Sequence, residues 1–228
     1  MIPKKELEKQ EPAMFKELDN FFNSEFFPCL FAKASFNKGF MLFCLFDDIN
    51  EFKNDLTFEL ADYIKRTGEA ICKKEKSYLT GVFLIKEKPK KFSEFDFLIE
   101  TINHLRENDS ADWPEGKTKN PNAQDFDFYW NQKKLFPVLA SPDHPAKIRA
   151  SPYLMLAIQP GTTFDFNKSN RHEFYQKMRI SIHESINRIY QEKKPYYLSE
   201  KSSGKNIFQF AGVDPTEKNK DFSILPLQ

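Results

Sequence analysis

Glycine is scarce in this chain, with seven in 228 residues. No G-x-G-x-x-G or G-x-x-x-x-G-K-[ST] loop is present, and G-x-S-x-G and H-E-x-x-H are missing too. Their absence argues against the common nucleotide-binding, serine-hydrolase and zincin chemistries. Cysteine is also sparse: Cys29, Cys44 and Cys72 are widely spaced, with no CxxC pair and no Cys/His spacing of a zinc site. So few unpatterned thiols suit a reducing cytoplasm. No apolar run approaches the length of a membrane span. The opening residues, Met1-Ile-Pro-Lys-Lys-Glu-Leu-Glu-Lys, lack the apolar segment of a secretory signal. Charge of one sign is lacking as well. The 34 basic and 33 acidic residues nearly cancel, so no global field draws the chain to nucleic acid or an anionic membrane. The aromatics are not interleaved with a basic stripe, so a nucleic-acid partner is not expected.

Phenylalanine, in contrast, is abundant at 25 residues. Such a chain can bury much area per residue, and its rings can wall a flat apolar ligand. A compositional drift toward Phe explains the count equally well. At this length the expectation is one domain, residues 1–228, with a core of about 12–210 and a looser tail at 211–228.

The hydrophobic pattern predicts a helix over 12–23, carrying Met14, Phe15, Leu18, Phe21 and Phe22 at helical spacing. Residues 28–34 and 40–46 read as two buried strands, with Asn37-Lys-Gly39 as the turn of an antiparallel hairpin. A helix is expected over 55–73 and a strand over 78–85. A second helix, capped by Ser93, carries Phe95, Leu98, Ile99, Ile102 and Leu105 inward. Residues 107–124 are polar and form a long loop, a plausible lid. Strands follow at 126–130, 135–140 and 152–159, the first two joined by a turn at 131–134. A helix over about 170–191, capped by Asn167 or Ser169, and a short strand at 206–210 complete the order. The fold class expected is α+β: one domain with a mixed, mostly antiparallel sheet flanked by helices.

The segment from Asp112 to Thr163 carries the most candidate chemistry. Ser141-Pro-Asp-His-Pro-Ala-Lys-Ile-Arg-Ala-Ser-Pro152 follows two aromatic strands, and its three prolines stiffen it. Within it, His144 is a candidate base or metal ligand and Arg149 a candidate carboxylate clamp. Cys29, after Pro28, is either a small core residue or a thiolate that could hold iron. His172, Arg179 and His183 share one helix face, which is either solvated or part of a site. Trp113 is a candidate pocket wall, whereas Trp130 reads as core.

Several segments together resemble the YqcI/YcgG family: Phe27-Pro28-Cys29, Asp112-Trp113-Pro114, Phe126-Asp-Phe-Tyr-Trp130, Pro142-Asp-His-Pro-Ala-Lys-Ile-Arg149, and Leu156-Ala-Ile-Gln-Pro160 with Phe164-Asp165. The resemblance runs from about residue 15 to 210. It implies a haem-binding oxygenase that N-hydroxylates a small amine or guanidine compound, after a branch associated with the guanitoxin pathway. Such a protein takes a small-molecule substrate and an electron donor, and a homodimer is the default assembly. A haem needs an apolar slot, an axial ligand and cations for its propionates. The residues that match these needs are Cys29 as the ligand, with His144 as the alternative. Arg149, or Arg179 with His183, would serve the propionates, and Trp113 the wall. The chain departs from the expected pattern after His144, where arginine and serine are sparser, and on the last long helix, where arginine is sparser. Two other readings stand beside this one: a non-catalytic haem or small-molecule sensing protein, and a cofactor-free interaction domain.

Overall fold

The structure is a computed structural model. It describes residues 1–72, 80–87, 93–121, 123, 125–191 and 206–214. A short strand β1 (Ile2–Pro3) leads into helices α1 (Lys4–Gln10) and α2 (Pro12–Asn23). Pro12 starts α2, where its missing N–H costs no hydrogen bond. Met14, Leu18 and Phe22 form the buried stripe of α2, as their spacing predicts.

The next segment corrects the sequence reading. Residues 28–34 are not a strand: helix α3 spans Leu30–Asn37, and only β2 (Met41–Phe46) of the expected hairpin is extended. Asn37-Lys-Gly39 is a helix end rather than a hairpin turn. Gly39 has φ +69°, its N–H donates to Phe36 O (3.0 Å), and Phe40 N–H donates to Ser35 O (2.8 Å). This pair of bonds around a left-handed glycine is a Schellman cap. A short apolar run has no decisive period, and Ala32, Lys33 and Ala34 tip this one toward helix.

Helix α4 (Ile49–Cys72) begins at Asp48, whose carboxylate accepts from Asn50 N (2.7 Å) and Glu51 N (3.0 Å). It then crosses over to β3 (Thr80–Ile85), which pairs parallel with β2. The outer ends of the helix and strand expected here, Lys73 and residues 78–79, lie outside the described residues. Helix α5 (Glu94–Glu107) carries the expected cap: Ser93 Oγ accepts from Asp96 N at 3.3 Å. Ser93→Ala should destabilise the fold by about 1 kcal/mol in urea denaturation. An unchanged midpoint would show that this long bond contributes nothing.

Beyond the predicted loop, β4 (Phe128–Trp130) and β5 (Lys133–Ala140) form a hairpin. Its turn is two residues long. Asn131 and Gln132 both have positive φ (49° and 57°), the conformation of the tight turn that matches strand twist. Strand β6 (Leu154–Pro160) pairs antiparallel with both β5 and β3. Among the described residues the sheet has six strands in the order β1-β2-β3-β6-β5-β4, and only the β2–β3 pair is parallel. The fold is therefore α+β, with a mixed, mostly antiparallel sheet flanked by helices.

Two further corrections concern the C-terminal half. The region after β6 is two helices, α6 (Gly161–Asn170) and α7 (His172–Tyr190). Asn167 and Ser169 lie inside α6, and the residue at the start of α7 is Arg171, which makes no side-chain cap. Residues 206–210 are helical, not extended: α8 spans Asn206–Ala211. Phe208 stacks on Phe95 (5.4 Å) and Phe210 meets Phe136 edge-on (5.1 Å), so tertiary burial decides the state of this short run.

Strand alternation divides the core between the sheet faces. Phe83, Ile85, Leu156 and Ile158 face α4, α5 and α8. Phe43, Val82, Leu84 and Met155 face α1, α2 and α3.

Candidate functional site

Two stretches singled out in the sequence meet beside the end of β5. The first is Phe27-Pro28-Cys29. Phe27 packs against Phe21 (4.9 Å) and Phe22 (5.2 Å), which anchors the chain on the α2–α3 face of the sheet. Pro28 is buried, and Cys29 becomes the residue that opens α3, with its carbonyl accepting from Lys33 N (2.9 Å). Cys29 is a free thiol, and its residue keeps some solvent exposure. Burial of the thiol pushes its pKa up. The Ala32 and Phe31 N–H groups of the helix start and the Arg149 charge pull the other way, and burial wins. The thiol is therefore neutral at pH 7, though set beside a cation and a helix N-terminus.

The second stretch is the Ser141–Pro152 loop, which folds on itself. Ser141 N donates to Arg149 O (3.1 Å), Ser151 N donates to Ser141 O (3.1 Å), and Lys147–Arg149 form a 3-10 turn. Asp143 takes a positive φ of 60°, a conformation aspartate tolerates better than most residues. Ser141 Oγ donates to Glu94 at 2.8 Å, which ties the loop to the start of α5.

His144 is 5% exposed, and both its ring nitrogens are engaged. Nδ1 accepts from Ala146 N (3.0 Å), and Nε2 lies 3.0 Å from Ala211 O. An amide can only donate and a carbonyl only accept, so the proton sits on Nε2. Arg149 donates to Leu139 O (3.3 Å) and Gln209 O (3.0 Å). Both side chains thus hold the C-terminal end of α8. Gly212, at φ +73°, leaves them room: a Cβ there would lie 3.0 Å from Arg149 Cγ and 3.2 Å from the His144 ring.

An open groove of about 660 Å³ runs between the end of α2 and the loop. Phe21, Phe26 and Phe27 line one wall and Lys147, Ala150 and Pro152 the other, with Glu17 at the rim. Glu17 accepts from Tyr153 OH (2.5 Å). Partial burial and this carboxylate push the Tyr153 phenol up to about 12, so it remains a donor across the physiological range. Arg149 adjoins the lining residue Ala150 in sequence, and Cys29 lies two residues beyond Phe27, with its thiol buried behind the groove lining. The groove thus carries three phenylalanines on one wall and the Lys147 cation on the other.

The other candidates are not all part of this junction. Helix α7 packs on α3 through Tyr175 and Phe31 (5.9 Å), and Tyr190 OH accepts from Ile148 N (3.4 Å). That brings α7 alongside the junction, with His183 half-buried and Arg179 exposed, 6.0 Å from the Tyr175 ring. His172 is exposed at the start of α7. Trp113 is elsewhere: it is buried with Phe126 and Tyr129 on the α5–α8 side of the sheet, across from Cys29. Sequence reasoning missed Phe21, Phe26 and Lys147 as groove residues, since nothing local distinguishes a ring lining a groove from one in the core.

Among the described residues no three His, Cys, Asp or Glu side chains converge to hold a metal ion. A haem asks for less, because the porphyrin supplies most of the ligands. Cys29, a free thiol, is a residue that could supply the remaining one. His144 fits poorly, because ligation through either nitrogen would break a buried hydrogen bond. Among the described residues, no helix is long and apolar enough to cross a membrane.

The motifs fall within the segment that matches known proteins. The model of the YqcI/YcgG family matches residues 18–220. A relative from Bacillus subtilis (strain 168), named Uncharacterized protein YqcI, is 28% identical over 146 residues. The match covers 61% of this chain and 56% of that protein, so the chain spans just over half of its relative. No solved structure matches.

Proposed function

We propose, from the premise that this chain belongs to the YqcI/YcgG family, that it binds haem through Cys29 and N-hydroxylates a small amine or guanidine compound. The observation that carries the ligand assignment is the contrast between the two candidates. Cys29 is a free thiol at the start of α3, two residues beyond the groove residue Phe27, whereas both nitrogens of His144 are spent inside the fold. A bound haem with a thiolate ligand would supply dioxygen activation, because a thiolate favours O–O cleavage. The reaction converts an N–H to N–OH. It consumes dioxygen, two electrons and two protons, releases water, and draws its electrons from an external reduced donor.

This chain's own residues would bind and orient. Phe21, Phe26 and Phe27 exclude water from the groove. Lys147 in the wall, and Arg179 and His183 on α7, are the cations for propionates. Arg149 acts through its charge on the thiol while its N–H groups hold Leu139 and Gln209. The free thiols Cys29 and Cys44 fit a cytoplasmic setting.

The test is titration with hemin, followed by reduced-plus-CO spectra and turnover on a panel of amines and guanidines. We expect one haem per chain and a strongly red-shifted CO complex. Cys29→Ala should lose that signature and weaken haem binding by about 100-fold, the upper range for damage to a metal site. His144→Gln should keep it. An unaltered spectrum in Cys29→Ala would refute the ligand assignment. Stoichiometric haem without turnover would favour a sensing protein. The absence of any Soret band would leave the groove as a site for another small molecule.

A further inference from the structure

Arg106 has no place in the groove, yet its environment is the least satisfied among the described residues. Its residue is 3% exposed, and none of its three guanidinium nitrogens has a hydrogen-bond partner. It lies in the last turn of α5, with its guanidinium carbon 5.1 Å from the centroid of the Trp113 ring. The indole is fixed. Its Nε1–H donates to Lys117 O (3.2 Å), it stacks on Phe126 (6.4 Å), and it meets Tyr129 edge-on (5.3 Å). The π face and the helix C-terminus both attract the cation. Neither of them fills the N–H directions in the guanidinium plane. Burial also lowers the Arg106 pKa from its ordinary value, as it does for a cation removed from water without an acid beside it. Arginine nonetheless stays charged in proteins, and buried charges are as a rule paired.

We propose that Arg106 and Trp113 form a binding site for a small organic carboxylate, covered by the loop that follows α5. A planar carboxylate matches the guanidinium fork in bidentate fashion and cancels its single charge. The flat indole beside the fork favours a flat, apolar body on the acid. The covering loop carries Trp113 and is braced largely by hydrogen bonds of its own. Ala111 N donates to Asp109 Oδ1 (3.0 Å), Lys117 N donates to Pro114 O (3.2 Å), and Trp113 donates to Lys117. A bond from Asn131 N to Asp109 Oδ2 (2.9 Å) ties its start to the β4–β5 turn. The site lies on the side of the sheet away from Cys29 and the groove, so it stands or falls independently of haem.

The experiment uses the full chain and sodium benzoate as the probe, with sodium chloride and sodium sulfate at matched ionic strength as controls. Benzoate at a hundredfold excess over its Kd should raise the Tm by about 5 °C and shift the tryptophan emission. Arg106→Gln should abolish both responses. Trp113→Phe preserves the stack on Phe126 and should weaken benzoate binding by about threefold. Equal responses to chloride, sulfate and benzoate would mean an adventitious anion only and overturn the proposal. So would a benzoate response that survives in Arg106→Gln, or, if that variant does not fold, an affinity unchanged in Trp113→Phe.

Discussion

Replacing His144 with alanine is expected to cost about 3–5 kcal/mol of folding stability. The side chain is buried, and its loss leaves Ala146 N–H and Ala211 O without partners and a void between the loop and α8. Hydrogen exchange should show where the cost falls: amides of residues 206–211 should lose protection before the sheet does. Two conservative variants resolve the bonds. Asparagine can place an oxygen where Nδ1 accepts, and glutamine can place an NH2 where Nε2 donates. Each should recover part of the loss, giving the order His, then Asn and Gln, then Ala. A cost below about 1 kcal/mol would sink the clasp reading, since a change at a fully used buried group is rarely that mild. The same series bears on the haem assignment. A histidine that clasps α8 affects haem only through stability, so His144→Gln should retain both the fold and the spectrum.

The sequence marks the 141–152 loop as a place where polar groups are aimed, but not at what. Pro142, Pro145 and Pro152 make its stiffness legible. The targets of His144 and Arg149 are Ala211 and Gln209, which lie 67 and 60 residues away. No local pattern announces a contact at that separation. The same limit explains which elements were read correctly. Helices α2 and α5 declare themselves through long apolar stripes and, in α5, a serine cap. The 28–34 and 206–210 runs are too short for periodicity to decide; helix-forming residues settle the first from Leu30 onward and tertiary burial the second. Trp113 and Cys29 fall within motifs of one family, yet the sheet lies between them, and only the strand order reveals that. Arg106 carries no sequence signal at all. Its singularity is the absence of a hydrogen-bond partner, a property of three-dimensional placement.

Gly81 is where the frame of the site is most sensitive to a single methyl group. It sits in β3, which is held between β2 and β6. A Cβ there would lie 3.0–3.1 Å from three atoms of the Tyr63 ring. Tyr63 is fully buried in α4, and burial also keeps its phenol neutral by pushing it upward. A ring packed on all sides has little room to retreat, so Gly81→Ala should cost about 2–3 kcal/mol through overpacking, despite the better strand propensity of alanine. Tyr63→Leu alone should cost roughly 2 kcal/mol by leaving a void. The two changes touch the same space, so the double variant should lose at least about 1 kcal/mol less than the sum. Urea denaturation of the four proteins measures the cycle. Additive losses would mean that the helix backs away from the strand as a body. In that event α4 does not hold β3 in place, and the register that carries β6 and the Ser141–Pro152 loop is set by the strands alone.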